Sequence, residues 1–116
     1  MTMAEPDSVK LAAQGIPEGY FLLDITPTYN QHSMRREMQL FQLLPKGLWG
    51  RVVALQGEIV LHVEGGRSPA RVEPGRPALI PADTPFRLEP TGKPVRFYLE
   101  HHHPPLAAPT KLRLGK

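Results

Sequence analysis

The sequence predicts an all-β domain, a barrel or sandwich of short strands. Proline and glycine are frequent, with 14 and 10 residues in a chain of 116. Because proline lacks an amide donor and clashes with the preceding turn, the composition disfavours long helices over most of the chain. Short apolar segments recur between these turn residues at about the 8–12-residue spacing that is typical of sandwiches and barrels.

Turn residues delimit each predicted strand. Pro27 ends the first apolar segment, Pro45 and Gly47 end the second, and Pro74 with Gly75 separates two short strands further along. Within the second segment, apolar residues alternate loosely with polar ones, which favours a strand. Outside the central stretch described next, the predicted strands are residues 20–25, 37–44, 70–73, 77–80, 86–89 and 95–102.

The central stretch, residues 49–63, has the pattern of a β-hairpin. Gln56 and Gly57 separate two runs of aliphatic and β-branched residues, and glycine supplies the positive φ that a two-residue turn requires. With this turn, Arg51 is predicted to lie opposite His62 on one face. The other face is predicted to pack on the core, and it carries Gly50, Val52, Ala54, Ile59, Leu61 and Val63.

Length and composition predict one soluble domain. The domain spans residues 1–116, with a loose N-terminal lead-in at 1–19 and a C-terminal tail at 104–116. Cysteine is absent, so disulfides and thiolate metal ligands are excluded. No apolar run approaches the roughly 20 residues that cross a bilayer, and acidic residues stand where a signal peptide would carry positive charge. We therefore expect a cytoplasmic protein with no membrane partner.

The charge balance does not point to nucleic acid. Lysine and arginine number 14 against 11 acidic residues, which gives a net charge of +3. The basic residues are dispersed, and the dense groups are Arg35–Arg36 and the tail between Lys111 and Lys116. We interpret them as a solvated surface and a basic tail.

Residues 75–86 resemble the second motif of the cupin superfamily. Gly75, Pro81, Asp83 and Phe86 have its spacing. In that motif a Gly begins the strand, a Pro and a Gly make the turn, and a His binds a metal ion. Here Asp83 stands at the position of the second Gly, and Phe86 stands at the position of the His.

Residues 47–58, GLWGRVVALQGE, resemble the signature of a small cupin family related to tellurite-resistance proteins. In that family a metal-type His precedes the Gly-x-Trp-Gly segment, and the matching position here is Gln42. Residues 95–100 are similar to the last strand of the family, so the resemblance covers about residues 37–101. It implies a single-domain, cupin-like double-stranded β-barrel (jelly roll), often dimeric, with a pocket inside one end.

The resemblance also implies a pocket without a complete metal site. Phe86 cannot ligate a metal ion, and the Gln42 amide is a poor ligand, so an aromatic at this position indicates an apolar pocket floor. The candidates for the ligand pocket are Gln42, Trp49, Arg51, His62 and Phe86. We expect no metal and no other cofactor in this pocket.

The run from Glu100 to His103 is the densest group of possible ligands. Successive side chains of a strand point to opposite faces, so Glu100 and His102 share one face while His101 and His103 share the other. No three of these four side chains converge on one ion while the strand stays regular. His62, beside the cationic Arg51 in the predicted hairpin, is expected to be a neutral, hydrogen-bonded residue of the sheet.

Two functions lead the interpretation, and a nucleic-acid binder that uses the basic tail ranks last. The first is a small-molecule-binding or stress-response protein, related to tellurite resistance, without a complete metal site. The alternative is a metal-dependent cupin, an enzyme or a sensor, that binds Zn, Ni, Fe or Mn through Gln42, His62, Glu100, His101 and His102. The sequence contains neither a nucleophile elbow nor a phosphate-binding loop, and it predicts no particular reaction.

A homodimer is the expected assembly. In the predicted hairpin, Trp49, Val53, Leu55 and Val60 form a second apolar surface, while the interior of a small barrel needs only one. Surplus apolar area of this kind tends to become an interface between subunits.

Overall fold

The computed structural model describes residues 15–66 and 68–106, and it confirms the all-β prediction. These residues contain no α-helix, and a 3₁₀ helix at Arg36–Gln39 is the one helical turn among them. The eight strands are β1 (Phe21–Ile25), β2 (Tyr29–Asn30), β3 (Trp49–Gln56), β4 (Ile59–Val63), β5 (Ala70–Val72), β6 (Ala78–Ile80), β7 (Phe86–Pro90) and β8 (Arg96–His103).

The strands form two antiparallel sheets that enclose one core. The first sheet has the order β1-β8-β3-β6, with β2 also paired to β8, and the second has the order β5-β4-β7. Alternate residues of each strand point inward, as the burial of every second residue of β3 shows. The buried apolar residues from both sheets and the connecting segments are Met34, Met38, Leu44, Leu48, Val52, Ala54, Ile59, Leu61, Val72, Ile80, Phe86, Leu88, Val95, Phe97 and Leu99.

The predicted hairpin at residues 49–63 is wrong in its pairing and right in its buried face. β3 pairs with β8 and β6, whereas β4 pairs with β5 and β7 in the other sheet. Gly57 turns the chain with a φ of +71°, and a Cβ there would overlap the carbonyl oxygen of Pro94. The chain therefore crosses between the sheets at this point. Alternation fixes which face is buried, but it does not say which strand is the neighbour.

Because the chain crosses between the sheets, two contacts that followed from the predicted hairpin are also wrong. Arg51 does not face His62, because its cross-strand partners are Glu100 and Leu79. Val60 belongs to the second sheet, so it does not share a surface with the outward residues of β3.

The predicted strand at residues 37–44 is also wrong. The 3₁₀ helix occupies Arg36–Gln39, and only Gln42 joins a ladder, as an isolated bridge to Phe86. The apolar residues of this segment divide between the core and solvent, since Met38 and Leu44 are buried while Leu40 is 63% exposed. Loose alternation over eight residues was therefore too weak a signal to separate a strand from a short helix followed by an extended bridge.

The remaining predicted strands coincide with β1 and β5–β8 to within two residues at each end. The two-residue strand β2 was not predicted, because its neighbours are polar and turn-forming. Residues 1–14 of the predicted lead-in and residues 107–116 of the tail, including its basic residues, lie outside the described residues. In the part of the chain that is described, no helix has the length and apolar character to span a membrane.

Candidate functional site

A cavity of about 300 Å³ lies where the 3₁₀ helix covers the beginning of β7 and the middle of β8. We call it the barrel cavity. Its wall combines an apolar floor from the core with polar side chains at the rim. The lining residues are Thr26, Tyr29, Arg35, Glu37, Met38, Gln42, Leu43, Leu44, Pro45, Phe86, Leu99 and His101.

Gln42 and Phe86 lie side by side at this cavity. Each amide donates to the carbonyl oxygen of the other residue, and both N···O distances are 2.9 Å. In a reciprocal antiparallel pair of this kind the two side chains stand on the same face of the ladder. The Phe86 ring is 2% exposed, so it closes the floor and presents carbon rather than a ligating atom.

The turn before Phe86 contains a residue in a backbone conformation that glycine usually adopts. Asp83 has a φ of +56°, and it is the one non-glycine residue with positive φ among the described residues. This is the left-handed region, which costs an L-residue energy and which glycine adopts freely. The Asp83 carboxylate accepts a hydrogen bond from the Gly47 amide at 3.1 Å, which compensates part of that cost. Asp83 therefore adopts a glycine-type conformation at the position where the resembled motif has a Gly.

His101 lines the cavity and is held from behind by Asp24. The distance from His101 Nδ1 to Asp24 Oδ1 is 2.7 Å, across the pairing of β8 with β1. Because an ionised carboxylate only accepts hydrogen bonds, Nδ1 donates, and the other ring nitrogen, Nε2, is left for a ligand. An imidazole fixed by a carboxylate in this way has a defined tautomer and orientation.

Glu100 and His102 lie on the other face of β8, as the alternation predicted. Arg51 donates to both carboxylate oxygens of Glu100, from Nε to Oε1 at 2.8 Å and from Nη2 to Oε2 at 3.0 Å. His102 Nε2 lies 3.0 Å from Oε1 of the same carboxylate. Burial by itself would raise the pKa of Glu100, but the hydrogen bonds from Arg51 and His102 outweigh it and hold the pKa below its ordinary value.

The lowered pKa of Glu100 predicts a loss of stability in acid. A carboxyl group whose pKa is lower in the folded state contributes stability above its unfolded pKa, and the contribution disappears as the pH falls through the folded pKa. The free energy of unfolding should therefore decrease below about pH 4.5, the reference value for this carboxyl group. Urea titrations at several pH values measure this effect.

The variant Glu100→Gln should remove that part of the acid dependence. At neutral pH it should also lower the free energy of unfolding by about 1–3 kcal/mol, since Arg51 and His102 lose a charged acceptor. Glu89→Gln is the matched control, because Glu89 is an exposed acid that also contacts a histidine. Equal pH profiles for wild type and Glu100→Gln would contradict this prediction.

The remaining sequence candidates lie away from the barrel cavity. His62 is in the second sheet, and its Nε2 lies 2.7 Å from Oε1 of Glu89. Its hydrogen-bonding partner is thus a carboxylate on β7, and the cation opposite it in the sheet is Arg87 of β7 rather than the predicted Arg51. Trp49 is half-buried at the start of β3, where it pairs with His102 on the first sheet. Of the five pocket candidates, the structure brings Gln42 and Phe86 to the cavity and places Trp49, Arg51 and His62 elsewhere.

Sequence reasoning missed most of the rim of the cavity. Tyr29 and Arg35 come from the polar, turn-rich residues 26–36, whose Arg35–Arg36 pair was interpreted as solvated surface, and Glu37 was placed at the start of the wrongly predicted strand 37–44. Asp24 was assigned to a strand without a role. The signal available was the cluster of turn residues between 26 and 36, which is typical of a loop that closes over the end of a barrel.

The residues around the barrel cavity do not fit a metal centre. His101 is the one histidine in its wall, and the Phe86 side chain has no donor atom. Among residues 15–66 and 68–106, no three His, Asp or Glu side chains are close enough to hold one ion. The ligands of the metal-dependent alternative are divided among the cavity, the outer face of the first sheet and the second sheet.

Solved structures share this fold. A protein from Escherichia coli K12, determined by a structural genomics consortium, superposes with a TM-score of 0.70 and 17% identity over 78% of this chain and 97% of its own. TehB from Haemophilus influenzae superposes with a TM-score of 0.65 and 14% identity over 75% of this chain. This alignment covers 32% of the TehB chain, so the likeness concerns about a third of that protein.

A cupin domain of an XRE-family transcriptional regulator from Enterobacter cloacae gives a lower TM-score of 0.47, at 18% identity over 72% of this chain and 76% of its own. No protein-family model matches the sequence, and no curated protein matches it either. The two facing antiparallel sheets define the chain as an all-β protein with a cupin-like double-stranded barrel.

Proposed function

We propose that this chain is a cupin-like binding protein whose barrel cavity takes a small ligand of mixed polarity without a metal ion. The observation that carries the proposal is Phe86. This residue stands where the cupin motif has a metal-binding His, and its ring is buried as the floor of the cavity. A ligand is therefore held by apolar contact at the floor and by hydrogen bonds at the rim.

The composition of the wall supports a ligand of mixed polarity. Met38, Leu44 and Leu99 continue the apolar floor, while Gln42 and His101 supply polar groups above it. A volume of about 300 Å³ is at the lower end of the range for ligand pockets, which suits a small molecule of about ten non-hydrogen atoms. Ligand pockets usually combine an apolar wall with a small number of polar groups that point into the pocket.

Cyclohexanol is a suitable first probe, because it combines an apolar ring with one hydroxyl group. Ligand efficiencies of small molecules predict a dissociation constant of about 1 mM. In a ¹H–¹³C NMR titration the methyl and ring signals of Met38, Phe86 and Leu99 should shift together. Absence of a saturable shift at these three residues would contradict the proposed function.

Two tryptophan substitutions locate the binding. Leu43→Trp should weaken cyclohexanol binding, because Leu43 is 59% exposed and lies in the rim, where a larger side chain fills the opening. Leu55→Trp is the matched control, since Leu55 is 48% exposed on β3 and does not line the cavity. If both variants weaken binding equally, the probe binds somewhere other than the barrel cavity and the proposal fails.

A role in stress response is part of the same proposal. It is supported by the resemblance of residues 47–58 to cupins related to tellurite resistance and by the fold likeness to part of TehB. The ligand would then be a small molecule whose level reports the stress. The cytoplasmic location stays a prediction from the sequence.

We also propose a homodimer, in which β1 of two copies meets at the edge of the first sheet. β1 is the edge strand of that sheet, and all five of its residues are exposed. Phe21, Leu22, Leu23 and Ile25 are between 41% and 54% exposed, which is a large apolar area on an edge that no other described strand pairs with. A two-fold axis lets the same antiparallel edge pair with itself, so one surface serves both subunits.

Light scattering tests the assembly. The expected mass is about twice the 13.0 kDa of the chain. Leu23→Lys should give the monomer, because a charge at the edge opposes strand pairing. Leu40→Lys is the control, since Leu40 is 63% exposed outside β1 and should leave the dimer intact. A wild-type mass of 13.0 kDa at micromolar concentration would refute the dimer.

A further inference from the structure

Two opposite charges stand in the wall of the barrel cavity without a partner among the residues that the structure describes. Arg35 and Glu37 both line it, and in the described part of the chain neither forms an ion pair or a side-chain hydrogen bond. The other ionisable side chain of the wall that forms a close pair, His101, already contacts Asp24. The unpaired charges of the wall are thus one cation and one anion.

The local backbone keeps these two charges apart. Arg35 is the extended residue before the 3₁₀ helix, with φ −74° and ψ 150°, and Glu37 lies in the first turn. The backbone changes from extended to helical between them, and no ion pair joins the guanidinium to the carboxylate. Each is left to interact with a charge of the ligand.

We propose that the ligand is a small zwitterion of the amino-acid type with an apolar side chain, an inference that rests on the proposed binding function. Its carboxylate pairs with Arg35, its ammonium group pairs with Glu37, and its side chain lies on Phe86 and Leu99. A dipolar ligand matches a wall whose unpaired charges sum to zero. A ligand with one charge would instead meet one attractive and one repulsive group.

Leucine and two analogues that each lack one charge provide the test. Removing the ammonium group gives 4-methylpentanoate, and removing the carboxylate gives 3-methylbutylamine, with the branched apolar end unchanged. Exposed ion pairs are worth up to about 1 kcal/mol, so leucine should bind about fivefold tighter than either analogue. NMR titration of the Phe86 and Leu99 signals measures all three dissociation constants.

Two charge-removing variants assign each contact. Arg35→Gln should weaken leucine binding about fivefold and leave the affinity for 3-methylbutylamine unchanged or higher. Glu37→Gln should weaken leucine binding to the same extent and leave the affinity for 4-methylpentanoate unchanged or higher. Arg36→Gln is the matched control, because Arg36 is exposed, adjacent in sequence and absent from the cavity wall.

The outcomes separate this inference from the function on which it rests. Failure of leucine to bind, equal affinity for the three compounds, or equal effects of Arg35→Gln and Arg36→Gln would each overturn the zwitterion. If cyclohexanol still binds at Phe86 in these cases, the proposed function stands. If cyclohexanol does not bind either, the proposed function fails as well.

Discussion

Replacing Phe86 by alanine is expected to lower the free energy of unfolding by about 3–5 kcal/mol. The ring is 2% exposed and belongs to the single core that both sheets share. Its removal costs the transfer free energy of the ring and also leaves space that the backbone cannot fill, because Phe86 is fixed by two hydrogen bonds to Gln42. Urea denaturation of both proteins measures the difference.

Phe41→Ala is the matched control for this substitution. Phe41 is 54% exposed, and its ring lies 5.7 Å from the guanidinium carbon of Arg87. An exposed cation–π contact is worth about 0.5–1 kcal/mol, so the control should lose no more than that. Similar losses for the two variants would show that Phe86 does not form the floor of the cavity.

Residues 49–63 show which features of a strand the periodicity of its sequence can predict. The alternation of small and aliphatic residues fixed Val52, Ala54 and Leu61 as buried, because a period of two places them on one face whatever the neighbouring strand. It could not identify β8 and β7 as the partners, since pairing depends on contacts with residues more than 20 positions away. A glycine turn between two strands is compatible with a hairpin and with a crossing between sheets.

The candidate site likewise contains residues that the sequence indicated and residues that it did not. Phe86 and Gln42 were found from the resemblance to cupin motifs, and the opposite directions of His101 and His102 followed from strand alternation. The contact of Asp24 with His101 joins positions 77 residues apart, so no local pattern indicates it. The charges of the rim were missed for a related reason, because Arg35 lies in a segment whose fold depends on the strands it covers.

Introducing histidine at both Gln42 and Phe86 is expected to create a zinc site and to raise zinc affinity by about a hundredfold or more over the wild type. The two positions form a reciprocal backbone pair, so both new imidazoles would stand on one face of the ladder. His101 lines the same cavity and supplies the third nitrogen. Glu100, which the sequence offered as a ligand of the metal-dependent alternative, does not contribute, because it points to the outer face and is bound by Arg51.

The contact with Asp24 prepares His101 for this role. A carboxylate that accepts from one ring nitrogen orients the other nitrogen toward a metal ion, and losing such a partner typically costs about 10–100-fold in affinity. Asp24→Asn in the double-histidine protein should therefore weaken zinc binding by about this factor. Because zinc binds the folded state, it should also raise the melting temperature of the double-histidine protein, which calorimetry measures independently.

Two further substitutions decide whether the zinc site is where the structure places it. In the double-histidine protein, His101→Ala should abolish the gain in zinc affinity, whereas His102→Ala should leave it unchanged, because His102 lies on the opposite face of β8 against Glu100. All proteins should be purified without a histidine tag, so that residues 101–103 are the only adjacent histidines. Equal effects of these two substitutions would contradict the proposed geometry. Sub-micromolar zinc binding by the wild type would contradict the proposal of a metal-free pocket with Phe86 as its floor. It would favour the metal-dependent alternative instead.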